Sequence, residues 1–148
     1  MESIKALQVG CGSDLFAIDL KLAREVIYSP SILKLPQPTL SIIGMTVWGG
    51  RETPVHDLSL ALGSPLPITG GELVMLVMDS MSAGLLVEFI GDIIFLSGTD
   101  MIKVNDELTG GRDHIRSGFQ QGNRILYLLE IERLLGLNRE PAAMPAVN

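Results

Sequence analysis

Apolar and polar positions alternate over short stretches of this chain, and turn residues interrupt them at close intervals. From Ala6 to Gly12 the alternation puts Leu7, Val9 and Cys11 on one face and Gln8 on the other. Gly12-Ser13-Asp14 reads as a tight turn, and Leu15 to Leu20 returns with Phe16, Ile18 and Leu20 on one face, so the opening segment predicts a β-hairpin. At Lys21 to Ile27 the period changes. Leu22 and Val26 stand four apart, as do Ala23 and Ile27, with Lys21, Arg24 and Glu25 polar, which predicts a helix of about two turns. Its expected place is packed over one end of a small barrel or sandwich, the architecture that such short, turn-punctuated strands suggest. Pro30, Pro36 and Pro38 exclude a regular helix through Leu35, leaving edge strand and loop.

Leu40 to Trp48 reads as extended chain closed by Gly49-Gly50, and Arg51 to His56 as the next strand, with Pro54 at an edge or bulge. Asp57 is placed to cap the free amides of a short helix over Leu58 to Ala61, and Gly63 to end it. Ser64 to Gly71, rich in Pro, Gly and Ser, reads as a linker. Leu73 to Met78 predicts a fully buried strand, Ala83 to Phe89 its partner and Gly91 to Ser97 a third. Asp100 to Gln121 is weakly patterned and reads as a loop with a strand fragment near Met101 to Val104. Arg124 to Leu129 is an apolar strand, Ile131, Leu134 and Leu135 stripe a last helix ended by Gly136, and Arg139 to Asn148 reads as a flexible tail. No repeat of fixed period stands out beyond two strand-rich halves.

Composition narrows the function classes. The chain has 148 residues, 47% of them hydrophobic and 19% charged, which suits one domain and excludes a disordered chain. No apolar run approaches the ~18–20 residues that cross a bilayer, and the N-terminus lacks a basic region followed by an apolar stretch, so neither membrane insertion nor secretion is expected. A cytoplasmic protein is the expectation. A net charge of -6, basic residues scattered singly along the chain and only seven aromatics disfavour nucleic acid. The single cysteine excludes an internal disulfide and a multi-thiolate metal site.

Candidate chemistry is sparse. His56 and Asp57 are adjacent, but neighbours in a strand point to opposite faces, and helix capping accounts for Asp57. His114 falls in a polar stretch and reads as solvated. Cys11 reads as a small core residue, since a reactive thiol wants a cationic, exposed setting. Glu130 and Glu132 suit charge complementarity at a helix N-terminus. The carboxylates Asp100, Asp106, Glu107 and Asp113 lack calcium-loop spacing, and the Gly-Gly pairs lack the lysine of a phosphate loop. The seven Met residues read as core, with Met81 at a turn suited to an adaptable contact. No enzyme constellation, metal site or cofactor is expected; the chemistry points to surface recognition.

Longer segments go further. Ile42 to Gly63, IIGMTVWGGRETPVHDLSLALG, resembles the central signature of the CheW family of chemotaxis coupling proteins, with Gly44, Gly50, Pro54, Val55, Asp57, Leu58, Leu62 and Gly63 at matching positions. LFAIDLKLAREVI, with Asp19 and Glu25, is similar to the family's opening; GLLVEFIGDI to its second-half strands; and RILYLLEIERLLGL to its closing strand and helix. The resemblance implies a mainly β fold of two intertwined SH3-like five-stranded barrels with short helices around a shared apolar core. It implies a single domain over residues 1–138, its barrels dividing near 64–72, with a tail over 139–148. The implied role is a non-catalytic adaptor between the regulatory domain of a CheA-type histidine kinase and the cytoplasmic tip of methyl-accepting chemoreceptors. Ala23, Glu25 and Gly44 match positions at or near the receptor-facing region.

The sequence departs from the family at two positions of that interface. Where the family carries Asn and Arg in the strand before Gly50, this chain has Val47 and Gly49, and Arg51 lies on the same strand face as Gly49 if that strand is regular. Two rival readings accompany the adaptor. One is an enzyme or small-molecule sensor using the interbarrel groove with His56, Asp57 or Cys11; the other is an oligomer paired through edge strands near Pro54.

Overall fold

The computed structural model describes residues 3–102 and 114–137. The expected tail and the residues after Ile102 up to Asp113 lie outside them. Twelve strands and two one-turn helices follow in the described residues: β1 (Ile4–Cys11), β2 (Asp14–Asp19), β3 (Ala23–Ile27), β4 (Leu33–Thr39), β5 (Ile42–Trp48), β6 (Arg51–Asp57), α1 (Leu58–Ala61), β7 (Glu72–Met78), β8 (Met81–Val87), β9 (Phe89–Leu96), β10 (Met101–Ile102), β11 (Ile115–Gln121), β12 (Arg124–Leu129) and α2 (Ile131–Leu134). They form two six-stranded sheets, ordered β10-β11-β12-β2-β1-β9 and β3-β7-β8-β6-β5-β4. The chain is mainly β, with one strand more in each sheet than the five implied for each barrel.

The sheets are intertwined. Hairpin β1–β2, at the chain start, completes the sheet built by β9 to β12 at its end, while β3 to β8 build the other. The Ser64–Gly71 stretch joins α1 to β7 within the second sheet, and the chain passes between sheets at Leu20–Leu22 and at Glu88. Both faces of β7 are buried, because the larger apolar cluster packs Val9, Phe16 and Ile18 of the first sheet against Val55, Leu73, Leu76 and Leu85 of the second. A smaller cluster, Ala6, Ala17, Leu96, Phe119, Leu126 and Leu128, lies within the first sheet. A shared greasy interior thus holds the halves together.

Each sheet repeats the topology of the other. The second runs β3-β7-β8-β6-β5-β4 and the first, in the matching direction, β9-β1-β2-β12-β11-β10. The parallel contact falls at the same place in both, β6 on β8 and β12 on β2. A bulge interrupts β5 between Ile42 and Gly44, and β11 between Ile115 and Ser117. Gly49, Arg51, Asp57 and Gly63 recur as Gly122, Arg124, Glu130 and Gly136, each 73 residues on.

Two expectations are corrected. Lys21 to Ile27 is not a helix: Ala23–Ile27 is β3, an edge strand antiparallel to β7, with a bulge between Ala23 and Glu25. The extra residue of a bulge breaks the two-residue alternation, so Leu22, Ala23, Val26 and Ile27 mimic a helical spacing. Ile115 to Gln121, expected as loop, is β11, and its bulge together with Gly118 hid the pattern. Pro54 sits where the expectation put it in local terms. β6 is interior to its sheet, but its ladder to β8 begins only at Val55, so Pro54 meets an open side. β4, with Pro36 and Pro38, is an edge strand.

Candidate functional site

The expected interface residues lie on the second sheet. Ala23 and Glu25 belong to β3, Gly44 and Val47 to β5, Gly49 to the β5–β6 turn and Arg51 to β6. In sheet order β3 is first and β5 fifth, yet the Trp48 indole Nε1 donates to Glu25 Oε1 at 2.8 Å. That bond shows the sheet curling until its far strands meet. It brings Glu25 to the end of β5, next to Gly49 and opposite Arg51, which pairs with Trp48. Ala23 faces another neighbour, pairing with Leu76 of β7.

Gly44 is fixed by crowding. A Cβ there would stand 2.3 Å from the Leu33 carbonyl oxygen and 2.9 Å from Ile32 Cγ2, so β4 crosses β5 closely at this point. Thr46 Oγ1 donates to the Ser31 carbonyl at 2.8 Å and ties down the same segment. Val47 is then left 71% exposed and Leu33 77% exposed. With Ser31, Met45, Thr46 and Glu52 they line a shallow hollow of about 290 Å³. Two exposed aliphatic side chains beside a concave surface suit a protein partner. Leu33 was not anticipated as part of this surface; only the close approach of β4 at Gly44 places it there.

The geometry of Gly49 corrects the expectation for Arg51. Gly49 and Gly50 have φ of +60° and +77°, the primed turn that matches strand twist in two-residue hairpins. Arg51 therefore opens the following strand rather than sharing a strand face with Gly49.

The groups weighed for chemistry are each bound into the fold. His56 is buried, with Nδ1 2.6 Å from Ser41 Oγ, and burial lowers its pKa to about 4, so the ring is neutral at ordinary pH. Asp57, fully buried, accepts from the backbone N–H of Leu60 at 3.0 Å and of Ile68 at 2.7 Å. The two adjacent residues thus engage separate partners. Cys11 is buried, and burial, reinforced by the Glu88 carboxylate, pushes its thiol up to about 11, away from the reactive thiolate. His114, expected in solvent, is buried at the start of β11, where its carbonyl accepts from the Glu130 N–H at 2.6 Å. Among the described residues no three His, Cys, Asp or Glu side chains are grouped to hold a metal ion, and no helix is long and apolar enough to cross a membrane.

Comparison with known proteins agrees with this architecture. No curated protein sequence matches the chain. Among solved structures it is similar to the scaffolding protein TtCheW from Thermoanaerobacter tengcongensis, at 17% identity and a TM-score of 0.77, over 94% of this chain and 97% of that one. At that identity the likeness establishes the fold. The family model for the CheW-like domain matches residues 5–139, nearly the whole chain. On that match, the chain belongs to the CheW-like domain family.

Proposed function

We propose that this protein is a non-catalytic, cytoplasmic chemosensory adaptor that couples the regulatory domain of a CheA-type histidine kinase to the cytoplasmic tip of methyl-accepting chemoreceptors. The observation that carries the reading is the family match over residues 5–139 on a fold whose candidate surface is built for contact. Residues 1–138 act as one unit, and the sheet end carrying Glu25, Trp48 and Arg51, with the Leu33–Val47 hollow beside it, meets a partner. The side chains considered for catalysis support this by their engagement: His56 with Ser41, Asp57 with two amides, Cys11 in the core.

Val47 and Gly49, where the family's pattern has Asn and Arg, tune the adaptor to a divergent kinase or receptor. A backbone turn offers no substitute for the planar donors of a guanidinium. The test is reconstitution with a CheA-type kinase and receptor signalling fragments encoded beside this protein in its own genome. Co-elution with both, and a change in kinase autophosphorylation on addition of the protein, are the expected results. Failure to associate with either overturns the reading.

A further inference from the structure

The repeated topology gives the molecule two related hollows, each at the start of one hairpin's first strand and the end of its second. The first, about 400 Å³, is lined by Ser3, Ile4, Lys5, Asp19, Leu20 and Lys21. The other, about 380 Å³, includes Lys34, Gly70, Gly71, Glu72 and Leu86. Strand register makes the correspondence residue by residue. Ala6 pairs with Asp19 as Leu73 pairs with Leu86, so Lys5 corresponds to Glu72 and Lys21 to Glu88. The bulges of β11 and β5 likewise match Arg116 to Ile43. The fold makes the hollow twice, and the sequence charges the copies differently. Lys5 and Lys21 face one carboxylate, Asp19, in the first, whereas Lys34 and Glu72 balance in the second.

The first copy collects basic side chains from remote parts of the chain. Lys5 and Lys21 line it, and the Arg24 Nη1 donates to the Lys21 carbonyl at 2.9 Å. Arg116 Nη2 lies 3.8 Å from Asp19 Oδ2, whose other oxygen accepts from the Lys21 N–H at 3.0 Å. Four of the eleven basic residues thus line or adjoin one hollow on a protein of net charge -6. All four are exposed. Apolar surface adjoins them: Ile4 and Leu20 in the hollow, and Phe95, 67% exposed, with the Lys5 ammonium 5.7 Å from its ring centroid. The singly scattered basic residues of the sequence become a patch through the β1–β2–β12–β11 pairing.

We propose that this basic hollow at the β2–β3 passage docks an acidic polypeptide segment, whose carboxylates meet Lys5 and Lys21 and whose apolar side chains rest on Ile4, Leu20 and Phe95. A polypeptide fits better than a membrane or a nucleic acid. The cations are few and share the hollow with Asp19, and the overall negative charge repels an extended run of phosphates beyond it. A few carboxylates interleaved with apolar side chains match the surface without that repulsion. The inference goes beyond the adaptor reading and does not require the kinase or receptor named there, because its test uses the protein alone.

A fluorescent peptide of about fifteen residues built from Glu-Glu-Leu repeats, its Gln-Gln-Leu counterpart, phosphatidylglycerol vesicles and a single-stranded oligonucleotide are titrated at about 25 mM salt, where charge is weakly screened. The Glu peptide is expected to bind about tenfold tighter than the Gln peptide, to weaken as salt rises, and to lose about tenfold in the K5E/K21E variant. K34E on β4 changes the charge in the same sense and is expected to stay within about twofold. Far-UV circular dichroism checks folding, and K5Q/K21Q carries the test if the reversal unfolds. Equal binding of the two peptides, equal losses in K34E and K5E/K21E, or tighter binding of vesicles or oligonucleotide would overturn the proposal. So would self-association at low salt that disappears in K5E/K21E, which would make a second copy the occupant.

Discussion

The two sheets share one topology but are locked by different chemistry where strand leads into helix. In the second sheet β6 ends on Asp57, which is fully buried and binds two amides, and in the first β12 is followed by Glu130, whose side chain makes no capping bond. The backbone does the same in both. Asp57 N–H donates to the Ser41 carbonyl and Glu130 N–H to that of His114, and Leu62 and Leu135 donate to Leu58 and Ile131. The strand-to-helix turn therefore does not depend on the cap alone; buried Leu58 in one helix, and Ile131 and Leu134 in the other, anchor it in the core. What Asp57 adds is a tie to the Ser64–Gly71 segment through Ile68. Short helices of one turn gain little from propensity, so such ties decide which copy is stiffer.

The sharpest way to break the comparison is to remove that tie. Asp57→Ala leaves two inward-facing N–H groups without their acceptor, and loss of about 4 kcal/mol in unfolding free energy is expected from two charge-assisted bonds. Glu130→Ala is expected to cost less than about 0.5 kcal/mol, since it removes no capping bond. Urea denaturation of both variants checks the contrast, and equal losses would show that burial, not the carboxylate, sets the turn.

The next largest effect separates His56 from its counterpart Leu129. Burial holds the His56 pKa at about 4, below the ~6.5 of an unfolded histidine. Between those values the unfolded chain takes up a proton that the folded one refuses, so stability falls as pH drops from about 6.5 to 4, by up to about 3 kcal/mol. His56→Leu, the residue of the other sheet, is expected to remove that part of the pH dependence. The difference between the two unfolding curves over this pH range isolates it from the carboxylates. A wild-type curve parallel to that of the variant would contradict the burial argument.

Most of the second sheet was legible from the sequence because its signals are local. Gly49-Gly50 after an apolar run, Asp57 ahead of a short helix and the apolar β7 each say what they are within a few residues. Bulges defeated the reading of β3 and β11, since one added residue shifts every later side chain to the other face. The repeat escaped because one copy is split: its β1–β2 hairpin stands at the chain start, ahead of the rest of its sheet, and the recurring Gly, Arg, acidic and Gly positions are too few to stand out. In the candidate surface, Glu25 and Gly44 were found through resemblance, but the Glu25–Trp48 bond joins residues 23 apart and no local pattern encodes it. The basic hollow is made by residues 3–5 and 19–21 of one hairpin, but its Arg116 comes from β11 and no local pattern links it to Asp19.

Gly44 offers a third contrast. Register matches it to Ser117 of β11, so one sheet carries a side chain where the other allows none. Gly44→Ala puts a methyl against the Leu33 carbonyl, and backbone cannot yield as a flexible side chain would. A loss of about 2 kcal/mol is expected, with β4 displaced and the Thr46–Ser31 bond broken. Ser117→Gly, the reverse exchange, is expected to cost no more than about 1 kcal/mol. Thermal unfolding of the pair, with hydrogen exchange at β5, measures both the loss and its place.

The smallest stability effect belongs to the position most informative about partners. Gly49 has φ +60° and open space where a Cβ would go, so Gly49→Arg meets backbone strain but no clash. The left-handed conformation costs a non-glycine residue about 1 kcal/mol, and the corresponding Gly122→Arg in the β11–β12 turn is expected to cost the same. Their effects on binding should differ. Gly49 adjoins Trp48 and the Glu25 bond, so an arginine there extends from the surface proposed to meet a partner, whereas one at residue 122 extends from the other sheet. Gly49→Arg is expected to raise affinity for the kinase and receptors of family members that keep that Arg, by about tenfold for one bidentate pair. No gain would place the divergence in Val47 or Leu33 instead. An equal gain from Gly122→Arg would show that added positive charge on an acidic protein, rather than its position, drives association.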